Sequence, residues 1–111
     1  MKLKNDFYTM LGFAARAQAC VSGYTAVEKG IRKKNILLVI LDEEISGNSL
    51  EKVTTMCKTF GIPWIMAGPS GEPGMRIGKP AAKMIGITRQ MFAGRMLQLT
   101  QQNAERTEVE D

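Results

Sequence analysis

No histidine occurs among the 111 residues, and that absence constrains the chemistry of the chain more than any other feature of its composition. Imidazole is the side chain whose ordinary titration falls near neutral pH, so acid–base catalysis would pass to a buried carboxylate or lysine. The G-x-S-x-G, G-x-x-x-x-G-K-[ST] and C-x-x-C patterns are missing as well. We therefore expect a protein that is not an enzyme. No apolar run reaches 18 residues and the first six residues, M-K-L-K-N-D, are predominantly polar, which predicts neither a membrane span nor a secretory leader. Cysteine is limited to Cys20 and Cys57, both on segments patterned as buried. With no histidine to activate them they read as reduced core thiols in a cytoplasmic protein. Acids outside the last eleven residues are few: Asp42, Glu43 and Glu44 in one cluster, and Asp6, Glu28, Glu51 and Glu72 apart from it. No motif joins them, so the cluster reads as a solvated turn, and we expect no metal site and no cofactor. No internal repeat is visible.

What is present is a chain with 44% hydrophobic residues, enough for one domain with its own core. The formal charge of +4 is unevenly placed. Residues 101–111 carry one base and four acids, so residues 1–100 carry 14 bases against 7 acids. We read residues 1–100 as the folded domain and 101–111 as an acidic tail without regular structure. A basic body favours polyanions, with nucleic acid ahead of anionic membrane because no helix is both basic and strongly hydrophobic.

Helix and strand patterns alternate along the chain. Asn5 can cap a first helix whose stripe is Phe7, Met10, Leu11, Ala14 and Ala15, ending near Gln18. Ala19 to Ser22 allows a brief strand. Ile36 to Leu41 is apolar without alternation, as in a strand covered on both faces. Asn48 and Glu51 resemble a capping box for a third helix with Leu50, Val53, Cys57 and Phe60 on one side, stopped by Gly61. Ile62 to Ala67 reads as a second covered strand. Residues 68–80 hold four of the 11 glycines and three of the four prolines, the composition of a surface loop with at most one helical turn. Met84 to Ile87 supplies a last strand, and Thr88 can cap a final helix through Phe92, Met96 and Leu97. This order predicts an α/β fold, a three-layer α/β/α sandwich on a small mixed sheet of about four strands.

The second helix, from Ser22 to Lys34, is the segment with the clearest chemistry. At about 100° per residue, Ser22, Thr25, Ala26, Lys29 and Lys33 share one face, and Tyr24, Val27 and Ile31 take the opposite one. With Ser22 as N-cap, the open amides of the first turn add partial positive charge to that of Lys29, Arg32, Lys33 and Lys34. Such a face suits phosphate; an ordinary solvated face has the same composition. The 68–80 loop adds flexible backbone, an apolar Ile77, and cations at Arg76, Lys79 and the neighbouring Lys83.

Four strings in order, L-G-F-A-A-R-A-Q-A-C-V-S-G, L-L-V-I-L-D-E-E-I-S, C-K-T-F-G-I-P-W and I-G-K-P-A-A-K-M-I-G-I-T, resemble a known family across residues 7–97. It is the kink-turn RNA-binding ribosomal protein family, named after large-subunit proteins L-seven-Ae and L-thirty-e, in its bacterial YlxQ-like branch. The resemblance implies a three-layer α/β/α fold that binds RNA bent sharply at sheared G·A pairs. In the family's G-x-N-E-x-x-K signature the asparagine and glutamate read the edges of those pairs and the lysine meets phosphate. Gly23 and Lys29 match its ends, while Thr25 and Ala26 stand where asparagine and glutamate are expected. The family's second contact surface, the loop before the last strand, corresponds to Ile77, Gly78, Lys79 and Pro80 and would cover a splayed-out nucleotide. The RNA-binding set implied is therefore Ser22, Gly23, Thr25, Ala26, Lys29, Arg32 and Lys33 with Ile77, Gly78, Lys79 and Pro80. Ala26 offers no acceptor and Thr25 only a hydroxyl, so weaker or altered kink-turn selectivity is expected. The partner expected is structured RNA, ribosomal or regulatory, with the ribosome as a candidate and with no membrane or small-molecule cofactor. The alternative is a protein-interaction module that keeps the fold without specific RNA reading.

Overall fold

A computed structural model describes residues 5–110, with side chains for residues 5–101. Its elements are α1 (Asn5–Arg16), β1 (Cys20–Ser22), α2 (Tyr24–Arg32), β2 (Leu38–Asp42), α3 (Gly47–Phe60), β3 (Trp64–Ala67), α4 (Glu72–Arg76), β4 (Met84–Ile87) and α5 (Gln90–Glu110). The strands form one mixed sheet in the order β1-β4-β2-β3. β4 runs antiparallel to both β1 and β2, and β2 and β3 are parallel.

Alternation along the strands splits the core in two. Leu38, Ile40, Ile65, Ala67, Ile85 and Ile87 face a cluster made with Phe7, Leu11 and Ala14 of α1 and Phe92, Ala93 and Met96 of α5. Val39, Leu41 and Met84 face the other way, onto Val27 and Ile31 of α2 and Val53 and Cys57 of α3. All five residues of β2 are buried, as expected of an apolar run covered on both sides. This is the α/β/α sandwich read from the sequence.

The ends of the elements differ from the sequence reading in ways that local chemistry explains. Ser22 does not cap α2: it ends β1, and Gly23 takes the N-cap position with φ 91°, a left-handed turn that glycine makes without strain. The helix also stops at Arg32, not Lys34. The cap of α3 is Ser46, whose hydroxyl accepts from the Ser49 amide at 3.3 Å, so the Asn48–Glu51 pair lies inside the helix. Gly61 closes it in the left-handed conformation, as the sequence predicts. Thr88 sits one residue too early to cap α5, because the Ala93 amide donates to the Arg89 carbonyl. The segment read as an unstructured tail continues α5 to Glu110. After Gly94 no glycine or proline interrupts a run whose three Gln and three Glu are good helix formers and outweigh Thr100, Asn103, Thr107 and Val109. The side chains of residues 102–111 lie outside the described residues.

Candidate nucleic-acid interface

The topology gathers four chain segments at one end of the sheet. β1, β2 and β3 share a direction, so their C-terminal ends lie together, beside the start of the opposed β4. Ser22 pairs with Ile85, Leu41 with Met84, and Asp42 with Ala67. The turn into α2, the acidic turn after β2, the loop after β3 and the approach to β4 therefore meet, although the sequence separates them by up to 60 residues. The Gly23 amide donates to the Met84 carbonyl at 2.9 Å, which fixes the start of α2 beside the loop that precedes β4.

That juxtaposition creates an open cleft of about 440 Å³ lined by Ser22 and Gly23 on one wall and Gly78, Lys79, Pro80, Ala81 and Ala82 on the other. Along α2 from the cleft, Thr25, Lys29 and Lys33 are exposed, Ala26 is half-buried, and Val27 and Ile31 are fully covered. The polar, cationic face thus faces outward. Among the described residues no side chain caps the first turn of α2, so its amides and their partial charge remain directed to solvent beside the cleft.

Not every residue of the expected set joins this surface. Arg32 pairs with Glu28 at 3.3 Å and lines a separate groove between α2 and α3 with Tyr24, Lys52 and Phe60. Ile77 is half-buried and packs on the α1–α5 core cluster, so its side chain anchors the loop from beneath. Two cations named with the loop are engaged internally. Arg76 binds Glu72 at 2.9 Å and Asn5 at 3.2 Å and lies over the Tyr8 ring. Lys83 donates to Ser70 Oγ at 3.2 Å and lies 3.7 Å from Asp42. Lys79 is exposed, and no ion pair holds it among the described residues.

The largest departure concerns Asp42, expected in a solvated turn. It is fully buried, with Oδ1 accepting from the Glu44 amide at 2.8 Å and Oδ2 from the Gly71 amide at 2.7 Å. Burial pushes its pKa up, but the Gly71 and Glu44 amides, the Ser70 side chain and the charge on Lys83 outweigh it. The net result lies below the ordinary carboxylate value. Glu43, one residue on, is exposed and accepts from the Ser70 amide at 3.2 Å. The one hint in the sequence is an acid that directly ends a wholly apolar run. Sequence reasoning also missed Gly74, which lies under the cleft's outer wall. A Cβ on Gly74 would come within 2.5 Å of the Lys79 carbonyl. Tyr8 is another hidden support: its hydroxyl donates to the Gly68 carbonyl at 2.7 Å, and burial, with help from Glu72 and Glu43, pushes its pKa up to about 12. Burial also raises both cysteine thiols, Cys57 to about 11, which keeps them protonated and unreactive at neutral pH. The described residues contain no group of acids and cysteines arranged to hold a metal, and no helix long and apolar enough to cross a membrane.

No protein-family model matches the chain. It is 35% identical to the RNA-binding protein YlxQ of Bacillus subtilis (strain 168) over 94 residues, 85% of this chain and 94% of the relative. A solved protein of unknown function from Bacillus halodurans C superposes with a TM-score of 0.81 at 26% identity, covering 86% of this chain and 97% of that one. The 15.5kD RNA binding protein of Giardia lamblia superposes with a TM-score of 0.71 at 14% identity over 86% and 92% of the two chains, a likeness of fold.

Proposed function

The chain belongs to the family of the RNA-binding protein YlxQ, and from that membership we propose that it is a non-enzymatic, cytoplasmic RNA-binding protein that takes structured, kink-turn-like RNA of the ribosome or of a regulatory element. The observation that carries this reading is the cleft between Ser22–Gly23 and Gly78–Pro80, bordered by the cationic face of α2. Lys29, Lys33 and Lys79 neutralise phosphates. The open amides at the start of α2 add to that attraction. The cleft takes an extruded nucleotide against Gly78, Lys79 and Pro80, while Thr25 and Ala26 face the paired bases. Ala26 supplies no hydrogen bond to a base edge and Thr25 a single one. Shape and phosphate contacts then carry more of the affinity than base reading does.

The test compares a standard kink-turn RNA with a duplex lacking the G·A pairs, at one fixed salt concentration. The double change Thr25→Asn with Ala26→Glu restores two base-edge partners at an exposed and a half-exposed position. It should sharpen selectivity for the kink-turn by about tenfold or more, since a good bidentate contact contributes ~1–3 kcal/mol of discrimination. Lys29→Ala should flatten the slope of log K against log salt by roughly 0.7–0.9. Unchanged selectivity together with an unchanged slope would remove this face from RNA and leave a protein-interaction module, the reading that the Thr25–Ala26 pair otherwise favours.

A further inference from the structure

The loop that forms the outer wall of the cleft is exposed from Gly78 to Ala81, yet its ends return to one point inside the protein. Asp42 binds the Gly71 amide through Oδ2. Gly71 is the N-cap of α4, and α4 delivers the chain to the loop, where the Gly78 amide donates to the Met75 carbonyl and the Lys79 amide to the Gly74 carbonyl. On the far side of the loop, the Ala82 amide donates to Lys79, and the Lys83 carbonyl accepts from the Asp42 amide at 2.9 Å. The Lys83 ammonium closes the ring by reaching Ser70 Oγ and the Asp42 carboxylate. Both ends of the loop are thus tied to a single side chain, the only fully buried charge among the described residues.

We propose that Asp42, acting through Ser70, Gly71 and Lys83, is a positioning residue for RNA recognition, holding the 78–82 loop at the distance from Ser22 and Gly23 at which the cleft accepts its ligand. This rests on the RNA-binding reading above. A carboxylate suits the task because Oδ1 takes the Glu44 amide of its own turn while Oδ2 takes the Gly71 amide of the segment before α4, where an apolar side chain of equal volume would leave two part-buried amides without a protein partner. Burial without those donors would be costly, so the group is stable only when both turns are in place. The exposed residues of the loop have few apolar contacts of their own to order them, and a loop ordered only on binding weakens the complex by the rarity of its competent form. In this arrangement Lys83 is a strut between the loop and the sheet, not a phosphate ligand, even though its side chain is partly open to solvent.

The test uses the full chain and two mild variants, Lys83→Met, which keeps the aliphatic stem, and Ser70→Ala, with Asp42→Asn as the severe case. Titrations of a standard kink-turn RNA over a range of salt concentrations are paired with amide hydrogen exchange on the free protein. A loop in place about one tenth of the time binds about tenfold more weakly. The expected result for Lys83→Met is therefore a loss of about tenfold at every salt concentration, with the salt slope unchanged. The Gly71 and Ala82 amides should exchange faster by about tenfold or more while those of β2 from Leu38 to Leu41 keep their protection. Ser70→Ala should add little on the Lys83→Met background, since both act through one ring. Lys79→Ala serves as the contrast, with a flatter slope and unaltered exchange. A slope reduced by roughly 0.7–0.9 in Lys83→Met would make it a phosphate ligand and overturn the proposal. Faster exchange with undiminished affinity would overturn it too. If the wild-type chain binds no RNA, the underlying reading fails and this proposal with it. That case is recognised because exchange at Gly71 and Ala82 still follows the Lys83 substitution.

Discussion

Replacing Gly74 by alanine tests the support beneath the cleft with the smallest possible change, a single methyl group. A Cβ built there lies 2.5 Å from the Lys79 carbonyl oxygen, 3.0 Å from that of Ala82 and 3.2 Å from that of Pro80. All three neighbours are backbone, so no rotamer change makes room. Ordinary contact begins near 3.4 Å, and the Lys79 carbonyl must therefore retreat by about 0.9 Å, the difference between those two distances. The movement strains the hydrogen bonds from the Lys79 and Ile77 amides to the Gly74 carbonyl, now 2.9 and 3.3 Å. Overpacking of this kind costs ~1–3 kcal/mol, and alanine returns up to ~1 kcal/mol through its better helix propensity, less in a helix of only five residues. The steric term is larger, so a net loss of about 1–2 kcal/mol is expected. For a domain of this size that corresponds to a melting temperature lower by roughly 4–12 °C. Calorimetry reads the stability, and RNA titration reads the displaced wall of the cleft, with affinity falling about tenfold if the displaced loop regains its place a tenth of the time. An unchanged or raised melting temperature would mean that the loop does not bear on α4 as the geometry requires.

Three further outcomes follow from the same structure. Ile40→Ala removes a fully buried side chain from a strand covered on both faces and should destabilise by ~2–5 kcal/mol in denaturant unfolding; a loss under about 1 kcal/mol would contradict the sandwich. Tyr8 has its folded pKa raised to about 12, so its stabilisation is complete below its unfolded value near 10 and is lost as pH rises toward 12, by roughly 2–3 kcal/mol. Tyr8→Phe should be less stable than wild type at neutral pH, with the gap narrowing between about pH 10 and 12, and a gap independent of pH would remove the buried phenol as its cause. Deleting residues 101–111 removes four acids and one base; we propose that it leaves the melting temperature unchanged and modestly strengthens binding to unspecific RNA, whereas a drop of several degrees would show that this segment docks on the domain.

The sequence by itself determined which segments between residues 5 and 100 become the main helices and strands, and which apolar residues line the core. Periodicity answers to burial, and burial of Phe7, Leu11, Ile40, Val53 or Met96 is a property of each segment's own pattern. It determined the outward face of α2 for the same reason, since Lys29 and Lys33 are opposite Val27 and Ile31 whatever the partner. Element ends were less legible. Ser22 and Asn48 are good caps by composition, but capping is decided by where the chain turns, and that turn is fixed by Gly23 bonding to Met84 and by Ser46 bonding to Ser49. The cleft and its support were decided only by the tertiary structure. Asp42 reads as one acid of a polar turn until the strand order brings Gly71 and Lys83 to it, and Gly74 reads as loop punctuation until the carbonyls of residues 79–82 close over it. Ser22 and Lys79 become neighbours because β1 and β4 pair antiparallel. Contacts between residues distant in sequence depend on which strands pair and in which direction, and no local pattern of residues encodes that choice.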